Sequence, residues 1–160
     1  MAEARGLQPR ELLAALDRAG VEFVVIGGFA LAPHGYVRAT KDLDIVPSPT
    51  VENRRRLAAA LGELDAAVAI GDIGADEHGL RPDEQGLAGG NWVLQTRHGR
   101  LDVMQDVPGL RDYAQFRARS VVVDGVLYAG YEDLISMKVA SGREEDLRDI
   151  GALEAARSEA

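Results

Sequence analysis

Apolar positions along the chain follow two different periods, and each period predicts one kind of element. Leu12, Leu13 and Leu16 recur at helical spacing behind Pro9, a residue that suits the first turn of a helix. Short β-branched runs such as Phe23 to Ile26 have the length and composition of buried strands. Extended along the chain, these patterns predict helices over 9–19, 28–35, 51–62, 111–118, 131–141 and 144–157. They predict strands over 21–26, 42–46, 66–70, 91–96 and 101–105, with a hairpin over 120–128.

This mixture of helices and strands predicts one α/β (α+β) domain over residues 1–160, with a mixed β-sheet flanked by helices and two C-terminal helices at the end. Leu147, Ile150 and Leu153 are expected to form the buried stripe of the last helix. Residues 71–90 contain six glycines and little periodicity, which predicts a long mobile loop. Such a loop is either a surface excursion or a lid over a substrate.

The most informative stretch runs from Val21 to Pro47, where a buried strand ends at Gly27-Gly28. Further along, Asp42 and Asp44 alternate with Leu43 and Ile45. Alternate side chains share one face of a strand, so both carboxylates should point to one side and both apolar residues into the core. Asp102, between Leu101 and Val103, repeats this pattern on a later strand.

Composition narrows the class of protein. The net charge of −8 argues against sequence-independent binding of nucleic acid over a broad surface. The chain contains no cysteine, which excludes disulfides and thiolate zinc sites and fits a cytoplasmic protein. No apolar run approaches the ~20 residues of a membrane span, so no membrane association is expected.

Carboxylates held close together repel one another unless a cation lies between them. Hard oxygen ligands of this kind suit Mg²⁺ (or Mn²⁺), and Asp102 beside Asp42 and Asp44 would complete a two-metal site. Gly27 and Gly28 have no Cβ, so their backbone N–H groups could approach phosphate oxygens at the start of the next helix. The alternatives are a solvated strand face, a surface acid paired with Arg100, and a tight turn without a ligand.

The combination resembles the polymerase-β-like nucleotidyltransferase superfamily. A strand ending in Gly-Gly is followed by thirteen residues, then Asp-Leu-Asp-Ile, and then a later strand with one acid. The segment from Arg38 to Asp44, together with Lys138, Arg143 and Asp146, resembles small prokaryotic members, including AbiEii-type toxin enzymes. Members commonly carry a lysine just before the aspartate that matches Asp146, where this chain has Glu144-Glu145.

The resemblance implies roles for individual residues. Asp42 and Asp44 would bind metal, and Asp102 would act as general base or third ligand. Gly27 and Gly28 would hold the nucleotide phosphates. Three further candidates for nucleotide binding each have a structural alternative. They are Thr40, which could be a turn hydroxyl, Lys138, which could reach solvent without a ligand, and Arg143, which could cap a helix or pair with Glu132 or Asp146.

The implied activity is metal-dependent transfer of a nucleoside monophosphate from an NTP such as ATP, bound with Mg²⁺, to a hydroxyl group, with release of pyrophosphate. A tRNA end, a protein or a small molecule such as an aminoglycoside could be the acceptor. The alternative is a catalytically degenerate binding module, or a partner subunit of a toxin–antitoxin-like system. A partner protein or a homo-oligomer fits either possibility.

Overall fold

Within residues 6–69 and 80–159, which the computed structural model describes, seven strands form one sheet in the order β3-β4-β5-β2-β1-β7-β6. The strands are β1 (Phe23–Ile26), β2 (Asp42–Pro47), β3 (Ala67–Val68), β4 (Asn91–Thr96), β5 (Gly99–Met104), β6 (Val121–Val123) and β7 (Val126–Tyr128). The α-helices are α1 (Pro9–Arg18), α2 (Val51–Glu63), α3 (Tyr113–Ala118), α4 (Tyr131–Ser141) and α5 (Glu144–Glu159), and 3₁₀ helices cover Gly27–His34 and Gly86–Ala88. The sheet is mixed and flanked by helices, which confirms the predicted fold class.

The centre of the sheet is formed by β5, β2 and β1. Strand β2 is antiparallel to β1 and parallel to β5. Strand β1 is also parallel to β7, and the remaining neighbours pair antiparallel. Central strands are covered on both faces, which explains why Val24 and Val25 are both fully buried. The mixed pairing follows from the long connections that separate β2 from β5 and β1 from β7.

The two faces of the sheet contact different helices. Leu43 and Ile45 of β2 pack in one hydrophobic cluster with residues of α1 and α2. Val46 of β2 points the other way, into a second cluster with the first 3₁₀ helix and with α3, α4 and α5. Because side chains alternate along a strand, Asp42 and Asp44 belong to the face of Val46, toward the C-terminal helices.

Most predicted elements are present with small shifts at their ends. Strand β4 has the predicted bounds, and the segment after β1 is a 3₁₀ helix rather than an α-helix. Of the edge strand predicted over 66–70, residues 66–69 are described and contain the strand Ala67–Val68, and residue 70 lies outside the described residues. The long loop predicted over 71–90 lies outside the described residues as far as residue 79, and its described part includes the short 3₁₀ helix with buried Leu87. Its mobility and the single-domain organisation stay predictions.

The predicted buried stripe of α5 was wrong in its first half. Leu147 is 60% exposed, whereas Asp146 and Asp149 are buried together with Leu153. The physical reason is electrostatic: Lys138 of α4 is itself buried, and its ammonium lies 2.8 Å from Asp149 Oδ2. The buried face of α5 therefore runs through Asp146 and Asp149, where a hydrophobic pattern alone selects Leu147 and Ile150.

Among residues 6–69 and 80–159, the chain forms no helix with the length and apolar content needed to span a bilayer.

Asn53 joins three elements at one end of the sheet. Its side-chain oxygen accepts from Glu22 N at 2.7 Å, and its amide donates to Glu22 O and Ser48 O, each at 2.9 Å. The residue is buried on the first turn of α2, where Thr50 Oγ1 caps the helix. These contacts tie α2 to the segments that flank β1 and β2, which position the acids.

We predict that Asn53→Ala lowers the free energy of unfolding by about 2–3 kcal/mol, because it leaves buried polar backbone groups without a hydrogen-bond partner. Glu52→Ala, at the exposed neighbouring position, should cost less than about 1 kcal/mol. Urea unfolding followed by circular dichroism measures both, and equal losses would contradict the assigned role of Asn53.

Candidate active site

Three carboxylates from two strands meet on one face of the sheet. In the parallel pairing of β2 with β5, Asp44 lies opposite Asp102, and Asp42 lies opposite Arg100. Each of Asp42, Asp44 and Asp102 offers one oxygen within 4.8 Å of the oxygens of the other two. The neighbours Leu43 and Leu101 are fully buried on the opposite face, so the hydrophobic core fixes the direction of the acids.

Burial and neighbouring negative charges act together on Asp44. Burial of the carboxyl group, followed by the negative charges of Asp42 and Asp102, raises the pKa of Asp44 to about 9. Its Oδ1 atom is buried and has no hydrogen-bond partner within the described part of the chain. A buried, unpartnered acceptor beside two more carboxylates is a donor set that fits a divalent cation with oxygen ligands.

Arg100 supplies the positive charge nearest to Asp102. Its guanidinium donates to Asp102 Oδ1 at 2.9 Å and to Oδ2 at 3.1 Å. Burial nevertheless raises the pKa of Asp102, although the ion pair with Arg100 opposes that rise. The ion pair with Arg100, expected if Asp102 is a surface acid, is present. The approach of Asp102 to Asp42 and Asp44, expected for a metal site, is also present. Any cation bound here would share Asp102 with Arg100.

Gly27 and Gly28, which directly follow β1, form a glycine corner. This corner lies directly against the acids and against the turn that precedes them. Gly27 has φ +71°, and a Cβ added there would collide with the Asp44 carboxylate. A Cβ on Gly28 would collide with Thr40 Oγ1. Both positions therefore require glycine for close approach, and Gly27 also requires it for its backbone conformation. The structure brings Gly27, Gly28 and Thr40 together with the acids.

The two basic candidates from the C-terminal segment have different surroundings. Arg143 has a side chain 70% exposed and donates to Asp146 Oδ2 at 2.9 Å. Asp146 is the main cause of the raised pKa of Arg143, and the charge of Asp44 makes a smaller contribution. Lys138 is only 6% exposed, and its ammonium lies 2.8 Å from Asp149 and 3.5 Å from Asp146. The structure therefore surrounds Lys138 with carboxylates rather than solvent.

The sequence analysis named Arg38 only as part of the motif that leads to the acids, and it gave Asp149 no role in the site. The Arg38 guanidinium makes two hydrogen bonds to Asp149, at 2.9 and 3.0 Å, across 111 positions of sequence. Asp149 is 1% exposed. A detectable signal existed: Asp146 and Asp149 are three residues apart, which places two acids on one helix face, aligned with Leu153.

This fold is that of nucleotidyltransferases, as solved structures show. A proposed nucleotidyltransferase from Thermotoga maritima has a TM-score of 0.56 and 16% identity, with 100% of both chains covered. ANT(2″)-Ia in complex with adenylyl-2″-tobramycin has a TM-score of 0.53 and 17% identity, covering 94% of this chain and 92% of that one. The solution structure of the antibiotic-resistance factor ANT(2″)-Ia has a TM-score of 0.54 and 19% identity, covering 94% and 87%. At these identities the likeness establishes the fold alone.

The chain belongs to the family described as "Nucleotidyltransferase of unknown function (DUF6036)", whose model matches residues 8–157. The superfamily expected from the glycine corner and the paired acids is thereby confirmed. The narrower likeness to AbiEii-type enzymes stays a prediction. No curated protein sequence matches the chain significantly.

We predict that Gly27→Ala destabilises the protein by about 1–3 kcal/mol, because the left-handed backbone and the collision with Asp44 both oppose a Cβ. Displacing Asp44 should also weaken Mn²⁺ binding about tenfold, measured by electron paramagnetic resonance. Gly151→Ala is the matched control: it lies within α5 with no atom within 4 Å of the added Cβ, and should stabilise by about 0.5–1 kcal/mol. Unchanged Mn²⁺ affinity in Gly27→Ala would contradict the assigned geometry.

The raised pKa of Asp44 predicts a pH dependence of stability without divalent ions. Its pKa is about 9 in the folded chain, against about 3.9 when unfolded, so the folded state holds an extra proton between those values. Stability should therefore fall as pH rises from about 4 toward 9, by an amount on the order of a few kcal/mol.

Asp44→Asn removes this titration, so the wild type and the variant should diverge progressively between pH 5 and pH 8.5 in EDTA. Urea unfolding at several pH values measures the difference. Parallel stability profiles for the two proteins would show that Asp44 titrates normally.

Proposed function

We propose that this chain is a metal-dependent nucleotidyltransferase that moves a nucleoside monophosphate from an NTP to a hydroxyl acceptor. One observation carries the proposal: Asp42, Asp44 and Asp102 converge directly beside the glycine corner. Within the described part of the chain, the buried Oδ1 of Asp44 has no hydrogen-bond partner. Neither the family nor the fold alone requires this convergence, because both could persist without the acids.

The three aspartates would hold Mg²⁺ or Mn²⁺. The fit rests on hard oxygen donors and on burial and mutual repulsion, which together raise the pKa of Asp44. It also rests on the buried Asp44 Oδ1, which has no hydrogen-bond partner among residues 6–69 and 80–159. A bound divalent ion supplies orientation of the triphosphate, a lower pKa for the attacking hydroxyl and neutralisation of charge on the leaving pyrophosphate.

The protein groups divide the remaining work. Backbone N–H groups of Gly27 and Gly28, the hydroxyl of Thr40 and the guanidinium of Arg143 would bind phosphate oxygens. Lys138 would contribute indirectly, by holding its carboxylate partners Asp149 and Asp146 in place. Binding energy of this kind holds the reacting atoms in line, which supplies much of the rate in phosphoryl transfer.

Asp102 would accept the proton of the acceptor hydroxyl, and its raised pKa suits that role. The acceptor oxygen then forms a bond to the α-phosphorus, and the bond from that phosphorus to the bridging oxygen of the β-phosphate breaks. Pyrophosphate leaves with the electron pair of that bond. Arg100 would keep the Asp102 carboxylate oriented toward the hydroxyl.

Three acceptor classes are proposed: a tRNA end, a protein hydroxyl and a small molecule. The complex of the fold neighbour ANT(2″)-Ia with adenylyl-2″-tobramycin supports including aminoglycosides among the small molecules. The acidic net charge of −8 favours a compact acceptor over an extended RNA surface. A cytoplasmic location and a toxin–antitoxin context remain part of the same proposal.

A catalytically degenerate module or partner subunit is the rival. A hydrophobic docking surface on the last helix would favour it, but α5 exposes one large apolar side chain, Leu147. The rival predicts a folded protein that transfers no label from any NTP.

We predict that radiolabelled NTP with Mg²⁺ labels one class among total RNA, lysate protein and aminoglycosides, and that Asp44→Ala abolishes the label. Loss of a central carboxylate should reduce transfer by at least about 10³-fold, since it removes charge neutralisation and positioning together. Glu154→Gln, which removes one exposed acid from α5, is the control and should retain activity.

A label that survives Asp44→Ala would arise from another site or a contaminating enzyme. Absence of any label in the wild type, together with no heat from NTP and Mg²⁺ in calorimetry, would instead favour the degenerate module.

A further inference from the structure

A buried network of charges lies behind the glycine corner. Asp149 of α5 accepts from the Arg38 guanidinium through both oxygens, and its Oδ2 also accepts from Lys138 at 2.8 Å. Asp149 and Lys138 are 1% and 6% exposed, and the Arg38 side chain is 20% exposed. Two cations thus converge on one buried carboxylate, which removes most of their conformational freedom.

The network holds the Arg38 guanidinium against the corner. The Nη1 atom of Arg38 would lie 3.3 Å from a Cβ built on Gly28, beside Thr40. Gly27, the preceding residue, lies against the Asp44 carboxylate. The Arg38 guanidinium therefore lies beside the backbone N–H groups that are proposed to bind phosphate, next to the acids.

The hydrogen bonds of Arg38 separate a fixed side of the guanidinium from a replaceable one. Nε and Nη2 donate to buried Asp149. Nη1 donates to Ala39 O at 3.2 Å and lies 3.2 Å from a carboxylate oxygen of Glu145. The Glu145 side chain is 53% exposed, so this last partner is a surface carboxylate that an incoming anion can displace.

We propose that Arg38 binds the NTP phosphates, that Asp149 and Lys138 are its positioning residues, and that Glu145 competes with phosphate for Nη1. This inference rests on the proposed function, since it names a further residue of the same site. It assigns to Arg38 the direct contact that the sequence suggested for Lys138. A guanidinium anchored by one edge and open at the other is suited to phosphate oxygens.

Charge complementarity supports this assignment. Nearly all of Lys138 is withdrawn from solvent and neutralised by Asp149 and Asp146, so a phosphate could reach it only by breaking buried ion pairs. Reaching Arg38 requires displacement of one half-exposed carboxylate.

The test measures MgATP affinity by calorimetry for a matched pair of charge variants. Glu145→Gln should tighten binding about two- to fivefold, because it removes the competing ion pair. Glu144→Gln makes the same charge change one residue earlier, where the side chain is 89% exposed and its carboxylate lies 4.0 Å from Arg148. It should leave the affinity unchanged.

Arg38→Lys tests the contact from the other side. It keeps a cation next to Asp149 but loses the planar fork, so the dissociation constant for MgATP should rise about tenfold. Binding of Mn²⁺ alone to the acids should stay within about twofold of the wild type. The double variant Arg38→Gln/Asp149→Asn removes the guanidinium and its carboxylate partner together, and Lys138 keeps Asp146 at 3.5 Å as a charged partner. It should show the same loss of MgATP affinity.

The outcomes separate the two proposals. MgATP affinity that is unchanged in Arg38→Lys, or equal in Glu145→Gln and Glu144→Gln, overturns this inference and leaves the proposed function in place. Parallel loss of MgATP and Mn²⁺ binding shows a purely structural role for Arg38 and also overturns it. A wild-type chain that binds no MgATP contradicts the proposed function and this inference together.

Discussion

The site depends on the parallel pairing of two central strands in one register. Asp44 faces Asp102 across that pairing, and a slip of one residue would turn either acid into the opposite, apolar layer. The register is enforced by Leu43, Ile45, Leu101 and Val103, all fully buried against α1 and α2. Hydrophobic packing on one face thus determines electrostatics on the other. Each of the two strands contributes apolar side chains to the core and acidic side chains to the site, because successive side chains point to opposite faces of the sheet.

The charges of the site form two groups with different physical character. Asp42, Asp44 and Asp102 together form an excess of negative charge, which the ion pair between Arg100 and Asp102 opposes in part. Burial raises the pKa of Asp44 and of Asp102. The second group is balanced, because Arg38 and Lys138 lie against two carboxylates, Asp149 and Asp146. The pKa of Asp149 is lowered by its hydrogen bonds to Arg38 and Lys138, although the group is buried. An unbalanced cluster favours recruitment of a cation, whereas a balanced one favours a fixed geometry. The glycine corner lies between the two groups.

Much of this arrangement was predictable because its signals are local. The alternation around Asp42 and Asp44, the Gly-Gly corner and the later acid at Asp102 each occupy a few adjacent residues, and one period of two gives the direction of every side chain. The buried face of α5 was not predictable from hydrophobicity. Asp149 is buried because Arg38 and Lys138 approach it from other parts of the chain, and no periodicity within the helix records such partners. The 3₁₀ geometry after β1 was also missed, since apolar spacing over eight residues does not separate it from an α-helix.

The chain order of these parts has a consequence for biosynthesis. Strands β1, β2 and β5 leave the ribosome well before α4 and α5, so the strands that carry the acids can pair first. At that stage Arg38 still lacks Asp149, its partner about a hundred residues downstream. Docking of the last two helices then pairs that arginine with Asp149 and Glu145. A nascent or C-terminally clipped chain would therefore hold the aspartates without the carboxylate that fixes the Arg38 guanidinium.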